Sequence, residues 1–324
     1  MSGTSFLVTG GAGFIGSHLV ETLLRRGHRV RVLDNLSTGK RSNLAGCAGA
    51  EFIEGDCADP EAARRAVRGM EFVLHQAAVA SVPRSIADPV SSHRANVQGT
   101  LTMLLAARDE GVRRVVFAGS SAAYGDTLVL PSTEDLPTSP LSPYALEKIA
   151  GEQYCALFTR LYGLETVTTR YFNVFGPRQD PASPYSGVIA LFASALLEGR
   201  APIIYGDGKQ TRDFTYVANV VDGVLRACEA PGAAGATVNL AAGGRVSLND
   251  LVSMMNRIVG TNVQPIYRER RAGDVRDSQA DIRKAEALLG YRPFVSCEEG
   301  LRRTLDWYRE ENAALSGAEI RKSA

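Results

Sequence analysis

Val8-Thr9-Gly10-Gly11-Ala12-Gly13-Phe14-Ile15-Gly16 is the stretch whose reading decides the fold. The apolar run Phe6-Leu7-Val8 that leads into it predicts a short buried strand. Ser17 to Arg26 follows, with Leu19, Val20, Leu23 and Leu24 at helical spacing, and Gly27 predicts the helix stop. Arg29-Val30-Arg31-Val32-Leu33 reads as a second strand that ends on Asp34. A strand, a glycine-rich turn, a helix and a second strand closed by an acid form a nucleotide-binding βαβ unit. The glycines at Gly10, Gly13 and Gly16 are spaced G-x-x-G-x-x-G. One position without a Cβ allows the tight turn, another allows close approach of a pyrophosphate, and a third allows the helix to pack on its strand. The helix N-terminus supplies free N–H groups to phosphate. A carboxylate at Asp34 accepts from an adenosine ribose 2′-hydroxyl and repels a 2′-phosphate, which favours NAD over NADP.

With 324 residues, 45% of them hydrophobic, the chain can bury a core large enough for one or two domains. Its formal net charge of +1 gives no support for a nucleic-acid or anionic-membrane surface. The five cysteines, Cys47, Cys57, Cys155, Cys228 and Cys297, never fall in C-x-x-C spacing. That argues against a disulfide framework or a metal site and suits a reducing cytoplasm. The first strand begins so early that no signal peptide is expected, and no apolar run approaches the roughly 20 residues of a membrane span. A cytoplasmic protein is expected.

In chain order, the polar loop Asn35-Leu36-Ser37-Thr38-Gly39 lies beside the expected adenosine pocket. Glu51–Glu54 is a third strand, and Asp56-Cys57 follows it. Asp56 can reach an adenine amine, or it can cap the helix that starts at Pro60. Glu71–His75 is a fourth strand that ends in Gln76-Ala77-Ala78, small residues that let backbone lie against a cofactor. One long helix is expected from Pro89 to Glu110, with Asn96 on it holding backbone near the active site. Val112–Ala118 is a fifth strand, continuous and apolar as a strand covered on both faces should be. Six β-α alternations by residue 170 predict an α/β fold, a Rossmann-type doubly wound parallel sheet. We expect residues 1–171 to bind the cofactor and residues 172–324 to form mainly a smaller α/β substrate domain. Returns to the main sheet are expected near residues 216–240.

Two further stretches carry chemistry. Ser142-Pro143 reads as an N-cap and first helical residue, which places Tyr144 and Lys148 on one helical face. A phenol of pKa about 10 is a poor base at neutral pH, and a nearby ammonium together with a positive nicotinamide would lower that value. Ser120-Ser121 ends the fifth strand at the carboxyl edge of the sheet, where open α/β sheets bind ligands. A hydroxyl there can bond a substrate hydroxyl and the tyrosine oxygen together, or it can serve turn chemistry alone.

Taken together, Gly10/Gly13/Gly16, Asp34-Asn35, Ser120, Tyr144-x-x-x-Lys148, Arg170-Tyr171-Phe172-Asn173-Val174-Phe175-Gly176-Pro177 and Gly208-x-x-x-Arg212-Asp213-Phe214-Thr215-Tyr216-Val217 resemble the extended short-chain dehydrogenase/reductases. The resemblance is to their NAD-dependent nucleotide-sugar epimerase/dehydratase group, and it runs to about Trp307. It implies that Tyr144 takes the sugar 4-hydroxyl proton while hydride leaves C4 for NAD. It also implies that Lys148 binds the nicotinamide ribose and that Ser120, or Ser121, relays the proton. Cofactor contacts are implied at Gly10, Gly13, Phe14, Ile15, Gly16, Asp34, Asn35, Ser37, Thr38, Gly39, Asp56, Cys57, Gln76, Ala77, Ala78, Asn96 and Tyr171. Substrate contacts are implied at Asn173, Val188, Tyr205, Arg212, Arg271, Asp274 and Ser278. For Arg212 and Arg271, diphosphate binding stands beside plain surface ion pairing.

Relatives that dehydrate carry an Asp-Glu pair just before the tyrosine equivalent to Tyr124, and decarboxylases carry a Glu there. This chain has Ala122-Ala123, which cannot exchange a proton. The ketone is then left to take hydride back on its other face, which is 4-epimerisation. Ser278 matches the family's pocket gatekeeper, and its small side chain admits 2-acetamido sugars. The resemblance therefore favours UDP-N-acetylglucosamine, with UDP-glucose and UDP-glucuronate as alternatives. It also implies a homodimer paired through the helices near Pro89–Glu110 and Pro143–Leu161. The four histidines are scattered and predict packing roles rather than a ligand set.

Overall fold

Strand alternation and strand burial account for the architecture seen in the computed structural model, which describes residues 3–181, 187–270 and 275–322. β1 (Ser5–Thr9) enters the glycine turn and α1 (Phe14–Arg25), and β2 (Arg29–Asp34) returns beside it. β3 (Glu51–Glu54), α2 (Pro60–Val67) and β4 (Phe72–His75) complete the first half. The second half begins with α3 (Val82–Ala87), α4 (Pro89–His93) and α5 (Gly99–Asp109). It continues through β5 (Arg114–Ser120), α6 (Pro143–Tyr162) and β6 (Glu165–Tyr171). β1 and β4 are buried along their whole length, as strands covered on both faces must be.

The central sheet has seven strands, with β11 (Thr237–Leu240) at one edge, in the order β11-β6-β5-β4-β1-β2-β3, all paired in parallel. Its order reverses between β1 and β4, and the crevice at that switch point opens beyond their carboxyl ends. The glycine turn after β1 and Gln76 after β4 both lie there.

Beyond β6 come β7 (Val174–Phe175), α7 (Val188–Leu197), β8 (Ile203–Tyr205), β9 (Thr211–Arg212), β10 (Thr215–Tyr216) and α8 (Val217–Glu229). β11 (Thr237–Leu240) then inserts beside β6 in the central sheet. β12 (Val246–Ser247), α9 (Leu248–Val259), β13 (Ile266–Arg268), α10 (Arg283–Leu289) and α11 (Cys297–Lys322) follow. β7–β10, β8–β13 and β9–β12 form three small two-stranded sheets. α8 is pinned to the main sheet by Arg114, whose buried guanidinium donates to the carbonyls of Ala227, Cys228 and Ala230 at 2.9–3.0 Å. A cation at a helix C-terminus meets carbonyls that lack partners in the helix, so the contact is favourable as well as geometric. Among the described residues no helix is long and apolar enough to cross a membrane.

The helix expected from Pro89 to Glu110 runs without a break from Pro89 to Asp109, capped by Asp88, with its turn at Arg94–Gln98 widened to a π-turn between α4 and α5. Side-chain partners far away in sequence stabilise that wide turn, and helical periodicity does not report them. The cap of α2 is Asp59, which accepts from the Glu61 N–H, and not Asp56. Asp56 instead accepts from the Ala58 N–H at 2.8 Å and pairs loosely with Arg94 at 3.4 Å.

Candidate active site

The glycine turn is as tight as its residues allow. Gly10 has φ +66°, and a Cβ on it would stand 2.8 Å from the Ala77 backbone. A Cβ on Gly16 would stand 2.1 Å from the Gly10 carbonyl oxygen, so the first turn of α1 sits directly on the loop. Gly13, the N-cap of α1, receives no side-chain cap, and the first turn carries no acid. Its N–H groups are therefore left to an anion. Phe14 and Ile15 are partly exposed beside them.

Asp34 does more than the sequence suggested. Its Oδ2 accepts from the Ala12 N–H at 2.9 Å and its Oδ1 from the Leu36 N–H at 2.8 Å. The acid thus shapes the turn and the adjoining loop, while an ionised carboxylate retains acceptor sites for a ribose hydroxyl. In that loop Asn35 accepts from the Ser37 N–H, and Gly39 packs so closely that a Cβ would lie 2.9 Å from Asp34 Oδ2. Lys40 N–H and Asn43 Nδ2 both donate to the Ala12 carbonyl, and Thr38 is exposed. Cys57 is buried and its thiol is pushed up to about 12, so it remains protonated.

At the end of β4, Gln76 Oε1 accepts from the Tyr171 hydroxyl at 2.9 Å. Gln76 Nε2 is buried with no hydrogen-bond partner among the described residues. A buried donor without an acceptor is unfavourable unless a ligand supplies one. With the uncapped helix end and the cradle that a Cβ would fill, this arrangement fits a dinucleotide. Asn96, on the π-turn, grips the neighbouring backbone: its Oδ1 accepts from the Val79 N–H at 2.8 Å and its Nδ2 donates to the Val79 carbonyl at 3.2 Å.

Sequence reasoning assigned His75 only to packing, yet it joins this edge to the π-turn. Its Nδ1 lies 2.8 Å from Thr9 Oγ1 and its Nε2 3.1 Å from Thr100 Oγ1. Thr100 Oγ1 donates to the Asn96 carbonyl at 2.6 Å, and Thr9 Oγ1 accepts from the Ala77 N–H at 3.2 Å. One tautomer satisfies every link, a neutral ring with its proton on Nε2. Burial and the Lys148 charge push the His75 pKa down to about 3, which keeps the ring in that neutral form.

Tyr144 and Lys148 stand on α6, whose N-cap Ser142 accepts from the Ala145 N–H with Pro143 at the first position. Ser120, not separable from Ser121 by sequence, is the serine placed to act on the Tyr144 phenol, whose pKa it holds down. Its Oγ also accepts from the Ala122 N–H at 3.2 Å. Lys148 Nζ donates to the Ala118 carbonyl at 2.9 Å and lies 5.9 Å from the Tyr144 ring centre. Burial pushes Lys148 down to about 8, against an upward pull from Glu147. Burial raises the Tyr144 pKa above its ordinary value, Ser120 opposes that rise, and Glu147 adds to it.

Ala123 is fully covered, and Tyr124 is buried with its hydroxyl on Asn239 Oδ1 at 2.7 Å. Neither position beside Ser120 presents an acid or a base. On the substrate side, Arg212 donates to the carbonyls of Thr211, Val275 and Arg276. With Tyr205, Gly206, Gln210, Arg270, Val275 and Arg276 it lines one cleft. Arg270 and Arg276 are site candidates the sequence reading missed. Ser278 N–H donates to the Thr211 carbonyl at 3.1 Å, which sets its small side chain beside β9. Asn173 Nδ2 reaches the Asp213 carbonyl at 3.3 Å, and Val188 opens α7. Arg271 and Asp274 lie outside the described residues.

The sequence pattern of the NAD dependent epimerase/dehydratase family matches residues 6–241. The chain belongs to that family. It is an NAD-dependent enzyme, and its similarity to epimerases makes it an isomerase. The UDP-glucose 4-epimerase of Mycolicibacterium smegmatis is 40% identical over 311 residues, covering 94% of this chain and 99% of the relative. The UDP-N-acetylglucosamine 4-epimerase of Methanobrevibacter ruminantium M1, solved with UDP-N-acetylmuramic acid, superposes with a TM-score of 0.92 at 37% identity. It covers 96% of this chain and 100% of its own. The UDP-glucose 4-epimerase of Thermus thermophilus, solved with NAD, gives 0.87 at 39% identity, covering 94% and 99%.

Proposed function

We propose that this enzyme is a 4-epimerase of a UDP-hexose, acting on UDP-N-acetylglucosamine and its C4 epimer, with UDP-glucose as a second substrate. The observation that carries the reading is the placing of buried Lys148 5.9 Å from the Tyr144 ring centre and on the Ala118 carbonyl of the strand that ends in Ser120, flanked by the inert Ala122-Ala123 pair. Tyr144 takes the proton of the sugar 4-hydroxyl as a general base and gives it back on reduction. Ser120 bridges that hydroxyl and the phenol, and Lys148 supplies positive charge beside the developing phenolate. NAD, when bound at the glycine turn, accepts hydride from C4 and returns it. With no acid or base next to Ser120, elimination and decarboxylation lack a proton carrier, so the 4-keto sugar turns over and is reduced on its opposite face.

Arg212 and Arg270 are the groups at Tyr205 that suit a diphosphate. The small Ser278 leaves room for a 2-acetamido group. Glucuronate is the second reading, because the same room serves a repositioned C6 carboxylate. Purified protein incubated separately with UDP-N-acetylglucosamine, UDP-glucose and UDP-glucuronate, without added NAD, is followed by proton NMR. Formation of the C4 epimer with no mass change supports the reading and ranks the sugars. A stable keto, dehydrated or decarboxylated product overturns it.

Val82, Ile86 and Val90 on α3 and α4 and Leu146 on α6 are exposed apolar side chains, 39–78% accessible. They support a homodimer that pairs these helices. Sedimentation analysis tests it, and a monomer at working concentration refutes it.

A further inference from the structure

Glu147 lies between Tyr144 and Lys148 on α6, yet nothing in the reaction above uses it. A Glu is among the residues least often buried, and this one is only 4% exposed. Its Oε2 accepts from Ser92 Oγ at 2.7 Å and from Asn96 Nδ2 at 2.6 Å. Both donors lie across the helix interface, Ser92 on α4 and Asn96 on the π-turn. Asn96 is the residue that grips the Val79 backbone, so Glu147 ties α6 to the cofactor edge through one side chain. An apolar residue would fill this face with less desolvation, since a buried carboxylate is costly unless it is well partnered.

We propose that Glu147 is a positioning residue for the Tyr144–Lys148 pair, holding the π-turn through Ser92 and Asn96 and supplying the negative charge against which both groups work. The inference rests on the reading of Tyr144 and Lys148 as the reacting pair. Other ionisable groups on α6 are Glu152, Tyr154, Cys155, Arg160 and Tyr162; on the elements packed against it they are Arg84 on α3, His93 on α4, Arg94 on the π-turn, Arg108 and Asp109 on α5, Arg114 on β5, Tyr124 after β5, and Glu165, Arg170 and Tyr171 on β6, with His75 on neighbouring β4. His75 is held neutral and Cys155 protonated. Glu147 is thus the carboxylate that acts on both members of the pair, raising the pKa of Tyr144 and of Lys148.

The test compares wild-type holoenzyme with Glu147→Gln, Glu147→Asp and Glu147→Ala, reading kcat against pH on whichever UDP-hexose the wild type epimerises. Phenolate absorbance of Tyr144, taken as the difference from a Tyr144→Phe background, gives a readout independent of turnover. E147Q keeps an acceptor but loses the charge, so both limbs of the profile and the phenolate titration move to lower pH by about one unit. E147D keeps the charge on a shorter arm, so its limbs stay in place while kcat falls. E147A loses roughly tenfold to a hundredfold in kcat through misplacement of the pair. Limbs that coincide with wild type in E147Q, or full activity in E147A, overturn the proposal. If E147Q does not fold, E147D decides through its kcat and the position of its limbs. Tyr144→Phe separates the two failures. An active Tyr144→Phe sinks the reading of the pair, whereas an inactive one beside an unshifted E147Q sinks only the role of Glu147.

Discussion

The cofactor edge and the substrate side are built by different means. Within the glycine turn and its adjoining loop most bonds join residues between 10 and 43, with Gly13 N–H on Gly10, Ala12 N–H on Asp34 and Lys40 N–H on Ala12, and Thr9 reaches farther, to His75, Gln76 and Ala77. On the substrate side the partners come from far apart. Arg212 holds carbonyls 63 and 64 residues away, and the Arg276 N–H donates to Asp126 across 150 residues. Asp213 collects the N–H groups of Ala242, Gly243 and Ala280 on its two oxygens. A short-range edge can be encoded as a motif. A cleft assembled from remote loops can change its lining without disturbing the glycine turn.

Four changes break or sharpen that contrast. The largest effect is expected from Tyr144→Phe, which should lower turnover by about 10²–10⁴-fold while NAD stays bound. Steady-state rates and cofactor content check both halves of that statement. Next is Gly16→Ala, whose new methyl would meet the Gly10 carbonyl oxygen. Separating helix from turn should destabilise the protein by about 3 kcal/mol and release NAD, as read by thermal unfolding and by absorbance of the freed dinucleotide. An equally tolerant Gly16 would mean that the edge is less rigid than its bonds suggest.

Lys148→Met has the opposite sign on stability. The folded pKa of Lys148 is depressed to about 8 from an ordinary 10.5, so burying its charge opposes folding below pH 8. That opposition is relieved as the lysine deprotonates between the two values. The methionine variant should therefore be more stable than wild type at pH 7 by about 1–2 kcal/mol, after allowing for the partner lost to the Ala118 carbonyl. Its advantage should shrink above pH 8, and denaturant melts at pH 7 and 10 would show the trend. The smallest effect belongs to Lys40→Ala, which removes the 2.6 Å ion pair with Asp180 that spans the two regions. As an exposed pair it should contribute about 0.2–1 kcal/mol and lose even that at high salt. A larger, salt-resistant loss would mean that the two regions are coupled through this contact.

The sheet was readable because its signals are local. The β1–turn–α1–β2 unit, the Ser142-Pro143 start of α6, and the helices Val217–Glu229 and Leu248–Val259 all follow from spacing within one element. So does the placing of Tyr144 and Lys148 on one helix. Similarity to known epimerases added the chemistry that such spacing cannot carry.

Other features were settled only in three dimensions. The expected helix carries a π-turn where Asn96 is committed to Val79 and Glu147. Ser120 rather than Ser121 is the serine that acts on the Tyr144 phenol. His75 proved to be a neutral link between Thr9 and Thr100, and Lys148 Nζ settled on the Ala118 carbonyl. By itself the sequence determined the β1–turn–α1–β2 unit and the helix that carries Tyr144 and Lys148, since periodicity and glycine spacing act over a few residues. Only the tertiary structure decided which polar groups share protons and charge, because hydrogen bonds and burial depend on neighbours that the chain brings together from 50 or more residues away.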